Sequence, residues 1–320
     1  MKIKRLHLFF FFLLSIILSL YLSHGRFSFN VESEIFLYIR IPRTILAFLV
    51  GAGLTLVGAV YQVIFRNPLA TPFTLGIAQG ASFGAVVGII FFNDVFLSIF
   101  SGITILSFCG AILTLLFIYF IVHLKRSFSP FVILLCGVAV SFFFSSLVLF
   151  LEYVSDFTQG FQILRWLMGS LSTIGYKDVL ALSMISFPVF FFLYLFRHHI
   201  FILSLGDELA TNRGIDVKKL RMMVFFITSL LIGIMVSVCG PIGFVGLIIP
   251  HLVNLLTDGN FKDNFLWYLL GGGSFLMLCD SFARTIIYPA EIPIGVITSL
   301  LGGPFFIWVL FNYKGKKSLF

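Results

Sequence analysis

Long stretches free of Asp, Glu, Lys and Arg alternate along this chain with short clusters of charge. Within the stretches the apolar positions run on without the strict alternation of a half-buried strand, so they read as helices that are apolar all round. A helix needs about 20 such residues to cross the hydrocarbon of a bilayer. The pattern predicts ten crossings, near 6–24, 43–65, 72–92, 97–122, 130–152, 178–197, 220–240, 243–257, 264–287 and 292–312. The run from Met222 to Thr257 is too long for one crossing, and Gly240-Pro241-Ile242-Gly243 breaks it into a long helix and a short one.

Composition agrees with this reading. Of 320 residues, 60% are hydrophobic and 11% charged, where a soluble domain carries about 25% charged residues; the mean hydropathy is +1.11. The fold class is an all-α integral membrane protein of about ten transmembrane helices, in one transmembrane domain over residues 1–320. A β-barrel would show segments of about ten residues with alternating polarity, and these are not seen.

Positive charge orients the spans, because cytoplasmic loops retain Lys and Arg. With the amino terminus inside, the cytoplasmic side holds Lys2, Lys4, Arg5, Arg66, Lys125, Arg126, Arg197, Arg213, Lys218, Lys219, Arg221, Lys262, Lys314, Lys316 and Lys317. The opposite side holds Arg26, Arg40, Arg43, Arg165, Lys177 and Arg284. Both termini are therefore expected in the cytoplasm, and the net charge of +8 follows from this bias without nucleic acid as a partner. The basic start and the apolar run from Leu6 to Leu22 are read as a retained span, since no small-x-small cleavage pattern lies near Ser23-His24-Gly25. The four cysteines fall inside predicted spans, with neither CxxC nor metal-ligand spacing, and are expected to be buried thiols.

Gly76, Gly80, Gly84 and Gly88 recur every fourth residue, which puts them on one helix face and predicts a neighbouring helix packed backbone to backbone. Ionisable groups within spans carry the opposite expectation, because each is costly in lipid unless paired. His251 follows Pro250 in a short apolar helix, where a local backbone hydrogen bond is expected. Asp280 and Arg284 lie four apart and can pair along one face.

The segment from Gly206 to Arg221 is charged and flanked by apolar runs. Asp207 and Glu208 lead, Arg213 follows, and Lys218, Lys219 and Arg221 close it, as the dipole of a short helix would favour. A helix lying in water beside the membrane is a handle for a soluble partner; an ordinary solvated loop is the alternative.

Eight groups of residues, in order from about 39 to 310, together resemble the FecCD family of binding-protein-dependent importer permeases. They are Arg40-Ile-Pro-Arg43; Gln62 with Arg66-Asn-Pro-Leu-Ala70; Leu75-Gly76 with Gly80-Ala81; Trp166-Leu-Met-Gly169; and Leu205-Gly-Asp-Glu-Leu-Ala210 with Gly214. The series continues with Gly243-Phe-Val-Gly-Leu-Ile-Ile-Pro-His251, with Asp280 and Ala283-Arg284, and with Glu291-Ile-Pro-Ile-Gly295 followed by Gly303-Pro-Phe-Phe306. One position departs: the family usually has arginine three residues after Pro250-His251, and this chain has Asn254.

The resemblance implies the type II ABC importer permease fold, with ten helices per subunit and a path along the axis of a permease dimer, homodimeric or with a close paralogue. It implies as partners two ABC ATPase subunits and an extracytoplasmic substrate-binding protein, in a bacterial cytoplasmic membrane. Residues 203–221 match the coupling segment that seats in the ATPase, with Gly206, Asp207, Glu208, Ala210 and Gly214 as coupling residues. Arg40, Arg43 and Arg284 match arginines that dock the binding protein. The chain itself is not expected to be an enzyme or to hold a cofactor or metal. It has no GxxxxGK[ST] phosphate loop, so ATP and Mg fall to the ATPase.

An ion-coupled secondary transporter is the rival class, and would need an ionisable site near the midplane, for which only Asp280 and His251 are available. Family frequency favours an iron chelate, siderophore or haem, as cargo, with cobalamin or an oxyanion as alternatives.

Overall fold

The computed structural model describes residues 2–21, 33–92, 96–97, 100–125, 129–257, 260–287 and 290–312. Arg26, Arg126, Lys314, Lys316 and Lys317, on which part of the orientation argument rests, lie outside the described residues. In chain order the elements are α1 (Lys2–Tyr21), α2 (Ser33–Ile35), a π-helical turn (Phe36–Arg40) that runs into α3 (Ile41–Ile64), and α4 (Ile77–Phe91). A pair of two-residue antiparallel strands, β1 (Phe96–Leu97) and β2 (Phe100–Ser101), leads to α5 (Gly102–Leu124), α6 (Pro130–Val154), α7 (Phe157–Leu167) and α8 (Lys177–Leu205). The series ends with α9 (Asp207–Asn212), α10 (Val217–Cys239), α11 (Val245–Thr257), α12 (Phe261–Thr285) and α13 (Ile294–Asn312).

Each of the ten predicted crossings coincides with a helix, but they are not of one kind. Among the described residues six helical stretches, 36–64, α5, α6, α8, α10 and α12, are long and apolar enough to span a membrane; Phe11–Leu20, α4, α11 and Ile294–Val309 are shorter apolar stretches. The shortening of α4 has a local cause. Pro72 stands at the first position of the predicted span, and regular helix begins only at Ile77, after Gly76 with φ +79°. The predicted break after α10 is present: Gly240 at φ +68° ends the helix. A Cβ there would sit 2.6 Å from the Trp166 carbonyl oxygen, so conformation and close approach both select glycine.

Several helix starts were legible as caps. Ser101, Ser129 and Asp216 each accept a hydrogen bond from a backbone N–H two or three residues into α5, α6 and α10. Helix α7 was not predicted, although it carries a capping box: Asp156 Oδ1 accepts from the Gln159 amide at 2.8 Å and Gln159 Oε1 accepts from the Asp156 amide at 3.4 Å. Its stripe of apolar residues is too short to register as a span.

The contacts group into two compact units that interleave along the chain. The first comprises residues 1–59, 170–201 and 242–320, the second 60–169 and 202–241. In the first, α3 approaches α12 and α11 through facing glycines. A Cβ on Gly51 would come within 2.7 Å of Leu276 Cβ, and one on Gly58 within 2.6 Å of the Gly246 carbonyl carbon, which are separations only glycine permits. In the second, Gly80, Gly84 and Gly88 share a packed face of α4 as expected, whereas Gly76 precedes the helix. Cβ atoms on Gly80, Gly84 and Gly88 would meet the Gly110 oxygen at 2.8 Å, the Leu106 carbonyl carbon at 2.8 Å and Ile103 Cα at 2.9 Å, all on α5. Tyr61, fully buried, bonds Ser229 at 3.0 Å and accepts from Thr228 at 3.1 Å, which satisfies a phenol that would otherwise be costly inside the unit. Apolar faces remain outward on α6 and α8, where Phe131, Phe142 and Met184 are each more than two-thirds exposed.

Candidate functional site

The residues singled out in the sequence gather in two places, one in each compact unit. Both consist of one aspartate held between two arginines.

In the first unit, Arg43 in the first turn of α3 forks onto Asp280 of α12, with Nη2 donating to Oδ1 at 2.9 Å and Nε donating to Oδ1 at 3.0 Å. Its Nη1 donates to Glu291 Oε2 at 3.0 Å, just before α13. Arg284, one turn on from Asp280, closes the ion pair predicted from their spacing, with Nε to Oδ2 at 3.1 Å. Arg284 also donates to the carbonyl of Ser19 on α1 at 3.2 Å, and the Ser19 hydroxyl lies 2.9 Å from that of Thr44. Asp280 is fully buried, and Arg40, Arg43 and Arg284 are each no more than 8% exposed. The three arginines matched to docking of the binding protein are thus buried in the chain. Arg43 and Arg284 turn toward Asp280, because a carboxylate buried there demands compensating charge and hydrogen bonds. Glu291, by contrast, keeps its side chain 52% exposed.

In the second unit, α9 is the predicted handle, but it is shorter than the charge pattern suggested. It ends at Asn212, and the chain turns through Gly214 at φ +76°, the Gly214 amide bonding the Thr211 carbonyl at 2.9 Å and the Ile215 amide the Ala210 carbonyl at 3.1 Å. Asp216 then caps α10. Lys218, Lys219 and Arg221 therefore lie in the first turns of α10, where the helix dipole disfavours them, and do not trail the acids on one helix as expected. For Arg221 the compensation comes from Asp207, which accepts from its Nη2 at 2.9 and 3.1 Å. Asp207 also pairs with Arg66, at the turn after α3, and Arg66 Nε donates to the Leu203 carbonyl at the end of α8 at 3.3 Å. Ala210 is fully buried, whereas Glu208 is exposed and Leu205 and Leu209 are about half exposed. Of the five coupling candidates, Asp207 and Ala210 thus face their own chain, Glu208 faces away, and Gly206 (φ +141°) and Gly214 shape the turns at either end.

The remaining predicted residues stand apart from these clusters. The His251 ring packs edge-on against Phe305, centroids 5.9 Å apart. Asn254, where family resemblance would place an arginine, accepts through Oδ1 from the Tyr268 hydroxyl at 2.5 Å and from Asn264 Nδ2 at 3.5 Å. A neutral amide thus joins α11 to α12 there. All four cysteines are free thiols; Cys239 and Cys279 are buried as expected, but Cys109 is exposed on α5, since that helix shows one face to the outside.

Continuous apolar helices joined by glycine contacts, carrying one short charged helix between long spans, define a multi-pass membrane protein. A solved metal-chelate type ABC transporter in an inward-facing conformation superposes with a TM-score of 0.85 at 33% identity, covering 97% of this chain and 99% of that one. The FecCD transport family matches residues 6–312, and the chain belongs to that family. A Helicobacter pylori (strain ATCC 700392 / 26695) protein named Probable iron chelatin transport system permease protein is 40% identical over 88% of this chain and 84% of its own length. The hemin transport system permease protein HmuU of Yersinia pestis is 34% identical over 89% and 85%. Permeases named for molybdate and vitamin B12 import are similar at 34% and 32% identity. The chain is accordingly a permease of ABC import systems, with a transport role rather than a catalytic one.

Proposed function

We propose that this chain is one of two permease subunits that carry an iron chelate, a ferric siderophore or haem, into the cytoplasm by ATP-driven alternating access. The observation that supports it most is α9. This short helix offers Glu208 and Leu209 to the outside, beside Leu205 at the end of α8, while Asp207 and Ala210 fasten it to the chain. Exposed leucines among charges, between two membrane helices, suit seating in a soluble subunit. Two ATPase subunits would bind ATP and Mg and close together, α9 would move with them, and the helices would shift between outward and inward openings. This chain would need no cofactor of its own.

The Lys and Arg bias supports a cytoplasmic location for both termini and for α9, and the apolar outward faces of α6 and α8 suit lipid and a second permease subunit. The end carrying Arg40, Arg43 and Arg284 would then receive the extracytoplasmic binding protein. With those side chains buried, three arginines against Asp280 and Glu291 would act through their surplus positive field rather than as free contacts, steering an acidic partner. The rival of ion-coupled transport loses support, since Asp280 is held between Arg43 and Arg284. The names of the relatives favour iron chelates.

Purified permease reconstituted in liposomes with its ATPase and binding protein tests the reading. ATP-dependent uptake of a ferric siderophore or hemin is expected. Uptake of cobalamin or molybdate alone would replace the cargo, and uptake without the ATPase would remove the class of mechanism.

A further inference from the structure

The ion cluster around Asp207 joins three membrane helices at the one point where α9 enters. Arg221 belongs to α10 and its side chain is 3% exposed; Arg66 stands at the turn closing α3; the Leu203 carbonyl that Arg66 also holds is in the last turn of α8. Arg66 adopts φ +47°, a left-handed conformation that residues with side chains rarely take and that persists where surroundings impose it. Here the surroundings are two backbone bonds, from the Arg66 amide to the Val63 carbonyl at 3.2 Å and from the Asn67 amide to the Gln62 carbonyl at 3.1 Å, together with the pairing to Asp207. Asp207 is also the first residue of α9, fixed by the helix immediately behind it. Glu208, its neighbour with the same charge, is exposed.

We propose that Asp207 is a positioning residue, the clamp through which movement of α9 reaches α3, α8 and α10 together. Arg66 and Arg221 are its two jaws. The role rests on the reading of α9 as the ATPase contact. It divides the acidic pair: Glu208 lies on the surface offered to the partner, and Asp207 passes the displacement inward. Without the clamp, α9 can still follow the ATPase, but the membrane helices no longer follow α9. Hydrolysis then continues while transport per ATP falls. A carboxylate held by two guanidinium groups from separate helices suits this task, because charge-assisted forks fix direction as well as distance.

The test uses the full permease with its ATPase and binding protein in liposomes, reading ATP hydrolysis and uptake of a ferric siderophore separately. Asp207→Asn and Arg66→Gln should each lower uptake per ATP by about fivefold or more, the lower range of measured coupling between sites, with hydrolysis retained. Asp263→Asn, at an exposed acid outside both clusters and outside α9, should leave the ratio within about twofold of the parent. Because a variant could act by loosening the fold, Arg66→Cys/Asp207→Cys is made with Cys109 and Cys136 changed to Ser. Bridging its thiols with a short bis-maleimide should restore the ratio lost in the unbridged form. An unchanged ratio in Asp207→Asn and Arg66→Gln, or no recovery on bridging, would overturn the clamp. Failure of the underlying reading looks different. Leu209→Asp would leave binding of the ATPase subunit unaltered, whereas it should weaken that binding whether or not the clamp exists.

Discussion

Asp280 and Asp207 are each held by two arginines, and the difference between them is water. Asp280 has a side chain 1% exposed, with Arg43 and Arg284 at 9% and 6%. Asp207 is 44% exposed, with Arg66 at 37% and only Arg221 buried at 3%. In the first cluster the charges have left water and depend on one another, so that removing one member leaves the others uncompensated. In the second, solvent screens the pairing and can replace much of it. The same residue types therefore make a structural lock in one unit and an adjustable joint in the other.

The largest expected effect comes from breaking the lock. Asp280→Ala leaves two buried guanidinium groups against one half-exposed glutamate and should destabilise by about 3–5 kcal/mol, read as a large fall in the unfolding midpoint of detergent-purified protein. A midpoint close to the parent's would mean that water reaches Asp280 after all. Arg43→Glu belongs to the same class, since it faces Asp280 and Glu291 with a third acid. Loss of folded protein is expected before any effect on a binding protein can be measured, so docking is better probed at Glu291.

Packing gives the next scale. Gly80→Leu drives a side chain into the Gly110 backbone of α5 and should cost at least the 1–3 kcal/mol or so of an overpacked core. The yield of detergent-stable protein should fall accordingly, and a normal yield would show that α4 and α5 separate freely. Gly214 is the useful contrast, because a Cβ there meets nothing within 4 Å. Gly214→Ala should cost roughly 1 kcal/mol through its left-handed backbone alone, visible as faster amide exchange around residues 210–215 with an almost unchanged global midpoint. Equal losses in Gly80→Ala and Gly214→Ala would contradict the distinction.

The smallest stability effect is expected at the joint. Asp207→Asn should change stability by no more than about 0.2–1 kcal/mol, and the difference should shrink further in high salt. A loss as large as that of Asp280→Ala, insensitive to salt, would erase the comparison between the two clusters.

The sequence by itself determined the helices, because burial in lipid writes its requirement into composition: uninterrupted apolar runs, broken by Gly240-Pro241, placed every predicted span on a helix. It also determined the Asp280–Arg284 pair, the packed glycine face of α4 and, through ordered groups of residues, the family. The capping box at Asp156 was present in the sequence and would have found α7. Only the tertiary structure decided that Arg43 joins Asp280 from a helix 237 residues away in sequence, that Asp207 and Glu208 have opposite orientations, and that Arg66 reaches α9 at all. No local pattern encodes which distant arginine a buried carboxylate will meet. That choice is made when helices far apart in the chain pack together, and the cost of leaving the charge unpaired then fixes the partner.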